Sequence, residues 1–117
     1  MHIDEINPVR KFDVGASKKI TISHFANITL NADEQVTFVG VGGEEVDVVK
    51  KDWGYYLTPS INKRLTNFNL NTFLVQNSRG NIYIMAVEKA SMYKFHEYIK
   101  QTNQRVIINL SDIYCAS

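Results

Sequence analysis

Apolar and polar residues alternate along much of the first half of the chain, and this pattern predicts β-strands. Residues 20–23 and 28–30 follow a period of two, which is typical of half-buried strands. A further strand over 36–39 stops at a glycine, and the glycine pair 42–43 predicts a hairpin turn into a strand over 46–49. The first half is therefore predicted to be a β-meander.

The spacing of apolar residues becomes helical after Thr58-Pro59. Thr58 can cap a helix, and Pro59 can take its first position, where a missing backbone donor costs nothing. Apolar residues then recur three or four positions apart until asparagines at 67, 69 and 71 end the run. The segment therefore predicts a helix of about three turns.

A second hairpin is predicted by two alternating segments, 73–76 and 82–87, joined by a turn at 77–80. A helix follows, because Ser91 can cap it and apolar residues recur at helical spacing behind it. The apolar stripe of this helix is Met92, Phe95 and Ile99. A final strand over 106–110 completes the pattern.

The order of these elements predicts an α+β fold with an antiparallel sheet of about five to seven strands and two helices. After the N-terminal β-meander, residues 44–110 follow the β-α-β-β-α-β order of the ferredoxin-like fold. The alternative is one continuous antiparallel sheet in which the strand before Trp53 belongs to the meander. We expect a single domain over 1–117, with an irregular arm at 1–18 that holds one short strand around Val9 to Phe12, a folded core at 19–110 and a tail at 111–117.

Composition and charge narrow the classes of function. The chain has 117 residues, 44% of them hydrophobic, and 13 basic residues nearly balance 12 acidic ones for a net charge of +1. So small a net charge does not supply the field of a dedicated nucleic-acid or acidic-lipid binder. The first five residues include two acids, and no apolar run reaches the length of a membrane span. We expect a cytoplasmic protein that binds no membrane.

The ferredoxin-like strand order is also that of the RNA-recognition module, so the segment 79–86 tests for that function. It begins with Arg79-Gly80, as the longer motif of that module does. Asn81 and Ala86, however, replace two of the aromatic residues on which bases stack. We therefore expect no nucleic-acid binding.

Residues suited to metal binding or nucleophilic catalysis are scattered along the chain. His2, His24 and His96 are far apart, and none has a neighbour at metal-ligand spacing. The single cysteine, Cys115, can form no internal disulfide and lies in the predicted tail, where a nucleophile would lack fixed positioning. We expect no metal and no cofactor, and a binding role is favoured over catalysis.

The segment 50–65 concentrates more binding chemistry than any other. It holds the only tryptophan and two of the six tyrosines, and it runs into the predicted helix start, where free backbone donors favour an anion. Aromatic rings can stack on a sugar or a base, and polar side chains can bind its hydroxyl or phosphate groups. The predicted ligand-binding residues are Asp52, Trp53, Tyr55, Tyr56, Ser60, Asn62 and Arg64.

A purely structural role explains the same segment. Trp53 and the two tyrosines would then be core anchors, Gly54 would permit a bend, and Thr58-Pro59 would only start a helix. The sequence leaves this interpretation open beside the functional one.

Part of the chain carries a resemblance to a protein family. The residues concerned are Lys51-Asp52-Trp53-Gly54-Tyr55-Tyr56, Thr58-Pro59-Ser60-Ile61-Asn62, Arg64-Leu65, Phe73-Leu74-Val75, Asn77, Gly80 and Ile82-Tyr83. Over roughly residues 34–110 the chain resembles small uncharacterised bacterial proteins found beside genes for cell-surface polysaccharide and nonulosonate synthesis. The resemblance implies an accessory or regulatory role near glycan assembly and carries no activity with it.

Three functions follow as hypotheses. The first is a non-catalytic binding or accessory module linked to bacterial surface-glycan synthesis, with a small phosphate- or sugar-containing ligand at a helix N-terminus. The second is a small enzyme, a transferase or lyase, that uses Asp52, Tyr56 and Arg64. The third is a protein-interaction domain in which an exposed strand edge or one face of the second hairpin joins two copies into a homodimer. That face consists of Tyr83, Met85 and Val87.

Overall fold

A computed structural model describes residues 1–15 and 19–113. In these residues the chain forms eight strands and two α-helices, which confirms an α+β fold with antiparallel pairing. The strands are β1 (His2–Val14), β2 (Ile20–Thr29), β3 (Glu34–Val39), β4 (Glu45–Lys51), β5 (Gly54–Thr58), β6 (Leu70–Gln76), β7 (Ile82–Glu88) and β8 (Arg105–Asn109). The α-helices are α1 (Arg64–Asn67) and α2 (Met92–Gln101), and short 3-10 helices lie at Lys89–Ser91 and Leu110–Asp112. Cys115 lies outside the described residues.

The first two strands form a long antiparallel hairpin as a two-stranded sheet of their own. Towards its closed end, Phe12 pairs with Ile22 and Val14 pairs with Ile20, so these four apolar side chains share one face. A two-stranded hairpin is marginally stable alone, and this apolar face is the side through which it can pack on the rest of the molecule.

The strand expected around Val9 to Phe12 extends over residues 2–14 as β1, so this part of the expected arm is regular. Pro8 lacks a backbone donor, and the pairing register shifts between Glu5 and Arg10. The alternation of apolar and polar residues is therefore interrupted at the centre of the strand. A sequence window across this irregularity shows little periodicity, although both halves of the strand pair with β2.

The second sheet has the strand order β3-β4-β5 and contains the predicted hairpin at glycines 42–43. Gly43 has a φ of +86°, which L side chains rarely adopt, and its N–H donates to the Gly40 carbonyl oxygen at 3.0 Å. The strand before Trp53 pairs with β3, so it belongs to the meander, as the second fold alternative expected. The short strand β5 was not predicted.

The helix expected from Thr58-Pro59 is much shorter than predicted. Thr58 pairs with Asp47 at the end of β5, and Pro59 is fully buried directly after it. A residue before proline is disfavoured in helical conformation, so the chain stays extended here, and the four-residue α1 begins at Arg64. The predicted end is correct, because Asn69 adopts a left-handed φ of +64° after α1.

The third sheet has the order β7-β6-β8, and α2 packs on one of its faces. This confirms the predicted second hairpin, in which the Asn77 side-chain oxygen accepts hydrogen bonds from the N–H groups of Arg79 (3.0 Å) and Asn81 (2.9 Å). It also confirms the helix after Ser91. The core between sheet and helix consists of Phe73, Val75, Val87, Phe95 and Ile99, with Met85, Met92 and Val106 packed against it.

The ferredoxin-like pattern is not confirmed, and neither is a single continuous sheet. That pattern would join the strand at 46–49 to the strands of the second hairpin in one sheet. Instead, β4 pairs with β3 and β5, while β6 is the central strand of a separate sheet between β7 and β8. One order of elements along a chain is compatible with several strand pairings, and long-range contacts select among them.

The molecule is more extended than its length requires. Its radius of gyration is 16.0 Å, against about 13 Å for a compact domain of this length. Its accessible surface is 8567 Å², against roughly 6,500 Å² for a monomeric protein of this mass. Apolar side chains contribute to the additional surface on all three sheets. Among the described residues, neither helix has the length and hydrophobicity to cross a bilayer.

Candidate functional site

The β4–β5 hairpin holds the first four residues of the predicted site. Lys51 pairs with Gly54, so Asp52 and Trp53 form a two-residue turn between the strands. Gly54 has a φ of +145°, a conformation that L side chains rarely adopt, and this lets the chain pass from the turn straight into β5. Both turn residues are exposed. The turn therefore presents a carboxylate and an indole to solvent at one end of the sheet.

The indole of Trp53 lies beside the phenol ring of Tyr56. The ring centroids are 6.2 Å apart and the ring planes differ by 17°, so the rings are nearly parallel. Trp53 is 68% exposed and Tyr56 is 43% exposed. The interpretation of Trp53 as a core anchor is therefore wrong, and the pair leaves a large aromatic surface in contact with solvent.

Tyr56 shares one face of the second sheet with Val49 and Gln35. Val49 of the central strand β4 pairs with Gln35 of β3 on one side and with Tyr56 of β5 on the other. Directly opposite residues of neighbouring strands point to the same face of the sheet. Neighbouring strands lie about 4.8 Å apart, so this row of three residues spans about 10 Å. Val49 in the middle of the row is buried, whereas Gln35 and Tyr56 at its two ends are exposed.

A chain of hydrogen bonds continues this face beside the aromatic rings. The Gln35 Nε2 donates to Thr37 Oγ1 at 3.1 Å, and the Thr37 hydroxyl donates to Asp47 Oδ1 at 2.6 Å. Asp47 is buried, so its carboxylate holds the hydroxyl in a fixed orientation. We call the set of Gln35, Thr37, Asp47, Trp53 and Tyr56 the aromatic–polar face.

Two consecutive lysines, Lys50 and Lys51, precede the turn and have different partners. The Lys51 Nζ donates to Asp33 Oδ1 at 2.5 Å, and this hydrogen bond, reinforced by the charge of the carboxylate, raises the pKa of Lys51. Lys50 pairs with Tyr55 on the opposite face of the sheet, where its Nζ lies 5.1 Å from the Tyr55 ring centroid. Tyr55 therefore points away from the aromatic–polar face.

The remaining predicted residues follow the far end of β5. This strand is five residues long, which separates its two ends by about 16 Å. The Ser60 Oγ accepts a hydrogen bond from the Arg64 N–H at 3.1 Å, and Asn62 Nδ2 donates to the Ile113 carbonyl oxygen at 3.0 Å. These groups serve local structure, and the four-residue α1 has only a weak dipole. The seven predicted residues thus form two groups rather than one site.

The residues of the enzymatic alternative are divided in the same way. Asp52 lies in the β4–β5 turn, whereas Arg64 follows the other end of β5, and Tyr56 lies between them on the strand. General acid–base catalysis needs its groups within hydrogen-bond reach of one substrate. Among residues 1–15 and 19–113, no contact brings these three side chains together.

Sequence reasoning missed three members of the aromatic–polar face, namely Gln35, Thr37 and Asp47. The sequence signal for Gln35 and Thr37 lies in β3, where they alternate with apolar Val36 and Phe38. The hairpin at glycines 42–43 then sets the register that pairs Thr37 with Asp47. Only the position of β5 beside β4 brings the aromatic rings to the same face.

A second concave surface lies between the closed end of the β1–β2 hairpin and the third sheet. Its volume is about 530 Å³, and its lining includes Ile20 from the hairpin and Tyr83, Met85 and Tyr98 from the body of the molecule. Met85 and Val87 also pack in the core under α2. On this face of β7, Met85 and Val87 thus pack in the core, whereas Tyr83 stays 49% exposed, and the expectation that the face joins two copies stays a prediction.

Among residues 1–15 and 19–113, no cluster of three or more histidine, cysteine or acidic side chains could hold a metal ion.

Comparisons with family models, curated proteins and solved structures find no significant match to this chain. The resemblance over residues 34–110 therefore stays a prediction.

Proposed function

We propose that this chain is a non-catalytic sugar-binding module whose ligand lies on the aromatic–polar face. The observation that carries the proposal is the exposed, nearly parallel pair of Trp53 and Tyr56 beside a hydrogen-bonded chain of polar side chains on the same face. Aromatic surface and oriented polar groups occur together here without a deep cavity, which suits a ligand that is flat on one side.

The chemistry of a sugar matches both halves of this face. One side of a pyranose ring carries C–H groups and packs on aromatic rings through dispersion and weak C–H contacts. Its hydroxyl groups lie at the rim and need hydrogen-bond partners. Gln35 has amide groups that reach solvent, and Asp52 adds an exposed carboxylate next to the indole. Carboxylates and amides are strong acceptors for hydroxyl donors.

A phosphate group on the ligand is a separate part of the hypothesis. The expected anion site depended on a helix N-terminus at Thr58-Pro59, and the one-turn α1 begins five residues later at Arg64. Lys51 is already paired with Asp33, and Asp52 would repel a nearby anion. We therefore propose a neutral sugar as the primary ligand and treat the phosphate as an arm of the experiment.

An accessory role in bacterial surface-glycan synthesis is the wider form of this proposal. It is supported by the resemblance over residues 34–110, and a sugar-binding face is what such a role would need. A positive binding result would support the ligand class, and only a glycan from such a pathway as the preferred ligand would support the pathway.

The test uses Trp53 as its reporter, because it is the only tryptophan in the chain. Neutral oligosaccharides, sugar phosphates, sugar nucleotides and inorganic phosphate are titrated separately while tryptophan fluorescence and backbone amide chemical shifts of residues 35–64 are followed. We expect neutral oligosaccharides to quench or shift the fluorescence and to move the amide signals of β3, β4 and β5. Inorganic phosphate alone should have no effect.

Tyr56→Ala and Tyr55→Ala form the matched pair of variants. These neighbouring tyrosines are both exposed but point to opposite faces of the same strand. Tyr56→Ala should weaken binding at least about tenfold, which corresponds to roughly 1.4 kcal/mol, whereas Tyr55→Ala should leave the affinity unchanged. The proposal fails if no sugar alters either signal, or if the two variants lose affinity equally.

A further inference from the structure

Strand β7 lies at the edge of the third sheet and pairs there with β6 alone among the described strands. Among residues 1–15 and 19–113, no other strand pairs with its outer backbone donors and acceptors. Proteins usually protect such edges with prolines, bulges, inward charges or covering segments. Whether β7 has any of these features decides whether the edge is protected or available.

Strand β7 has none of these protective features. It contains no proline, glycine or lysine, its only charged residue is the terminal Glu88, and its pairing with β6 continues without a register shift from Gln76 to Leu70. Two other edge strands carry such features: β1 has Pro8 and a register irregularity, and β8 begins at Arg105 and has a shifted register with β6. Long, apolar and regular edge strands are the ones that pair with another chain.

The outer face of the third sheet is also apolar up to this edge. Leu74 of the central strand pairs with Ile84 on one side and Ile108 on the other, which forms a row of three aliphatic residues across the sheet. Ile84 is 57% exposed, and Ile82 on the same strand is 56% exposed. α2 covers only the opposite face, so the available surface of β7 is its backbone edge together with these isoleucines.

We propose that two copies of this chain pair antiparallel through β7, so that two three-stranded sheets form one six-stranded sheet. A two-fold axis at Met85 pairs Ile82 with Glu88 and Ile84 with Ala86 of the second copy, and it uses the strand's full length. In this register the two Glu88 carboxylates lie at opposite ends and do not meet. This register pairs residues that lie on the same face in the two copies. Both α2 helices therefore lie on one side of the joined sheet.

The self-complementary edge of β7 favours a second copy as the occupant, and the molecular surface is large enough for one. The accessible surface of 8567 Å² exceeds the value for a compact monomer of this mass by about 2,100 Å². An obligate homodimer buries about 1,000–2,500 Å² from each chain. A two-fold, isologous contact needs a self-complementary patch, and an uncharged edge strand that pairs with its own reverse satisfies that condition. This inference goes beyond sugar binding and concerns a different sheet.

The test measures the mass and the association constant by sedimentation equilibrium over a range up to high micromolar concentration. The full chain should sediment at twice its 13.4 kDa. Ile84→Lys places a positive charge beside the two-fold axis in each copy and should raise the dissociation constant at least about tenfold. Ile108→Lys is the matched control, because Ile108 is 41% exposed on the same face but lies on the opposite edge strand β8. It should leave dimerisation unchanged.

Amide hydrogen exchange of the unmodified chain locates the contact without any substitution. The amides of residues 82–88 that point away from β6 should become protected as the concentration rises, whereas those of β8 should not change. A monomer at high micromolar concentration overturns the proposal, as does a dimer that Ile108→Lys dissociates as strongly as Ile84→Lys. A monomeric chain whose β7 pairs with a peptide of another protein also overturns it. Trp53 fluorescence with sugar should be the same in Ile84→Lys, which keeps the two proposals separable.

Discussion

Two pairs of aromatic rings in this molecule have similar geometry and different surroundings. Phe73 and Phe95 lie 5.0 Å apart between the third sheet and α2, and only 5% and 8% of these residues are exposed. Trp53 and Tyr56 lie 6.2 Å apart at the β4–β5 turn and are largely exposed. Near-parallel rings alone therefore do not distinguish a core contact from a binding surface, and burial does.

The difference follows from what lies on the other side of each pair. α2 covers Phe73 with a stripe of apolar residues, and the rings are removed from water on all sides. Trp53 and Tyr56 remain 68% and 43% exposed, and their neighbours on the same face include polar side chains of β3 and β4. The first pair contributes mainly to stability, whereas the second remains free to contact a ligand.

The largest expected effect is on the buried pair. Phe95→Ala removes a ring that packs on Phe73 and leaves a cavity under α2, so we expect a loss of about 3–5 kcal/mol in the free energy of unfolding. Urea denaturation followed by far-ultraviolet circular dichroism measures this loss. A change below about 1 kcal/mol would mean that the core is centred elsewhere.

A smaller effect is expected at the polar part of the aromatic–polar face. Thr37→Val removes the hydroxyl that donates to the buried Asp47 carboxylate at 2.6 Å, and a buried acceptor without its donor costs about 1–3 kcal/mol. The same denaturation experiment measures it.

Thr72→Val is the matched control for that change. The Thr72 hydroxyl is buried and has no hydrogen-bond partner among the described residues, so the isosteric valine should be neutral or stabilising. Equal losses in the two variants would show that shape, rather than the Thr37–Asp47 hydrogen bond, determines stability at these positions.

The smallest effect on stability is expected at the exposed pair. Trp53→Ala removes a large aromatic side chain, but because most of it is already in water the free energy of unfolding should change by no more than about 0.5 kcal/mol. A loss comparable with that of Phe95→Ala would contradict the comparison between the two pairs and make Trp53 a structural residue. Circular dichroism is again the suitable probe, since this variant has no tryptophan.

Elements with a local signal could be predicted from the sequence. The hairpin at glycines 42–43 and the one at residues 77–80 form because their turns depend on a few neighbouring residues. α2 forms where Met92, Phe95 and Ile99 recur at helical spacing, and all three pack in or against the core. For these elements the relevant interactions lie within about ten residues of chain.

Elements that depend on distant partners could not be predicted. The length of β1 was obscured by Pro8 and a register shift, and only its part around Val9 to Phe12 has a local signal. The helix expected from Thr58-Pro59 is shortened to α1, which begins at Arg64, because Thr58 pairs with Asp47 and the buried Pro59 follows it directly. Helical propensity and capping signals are weak compared with the contacts a neighbouring strand supplies.

Part of the candidate site could likewise be predicted from the sequence, and part depends on strand pairing. Its aromatic residues were visible in the sequence, because Trp53, Tyr55 and Tyr56 are unusual neighbours in a short segment. The two tyrosines were separated onto opposite faces by strand geometry, and Gln35 joined Tyr56 only through the register of β3, β4 and β5.

The sequence by itself determined the α+β class, two hairpins, the long helix and the segment richest in binding chemistry. Each of these depends on the identity and spacing of residues close together in the chain. The tertiary structure alone decided that the strands form three sheets, which face each helix covers, and which aromatic rings stay in water. These properties depend on contacts between residues far apart in sequence, because a side chain is buried only when another element lies over it.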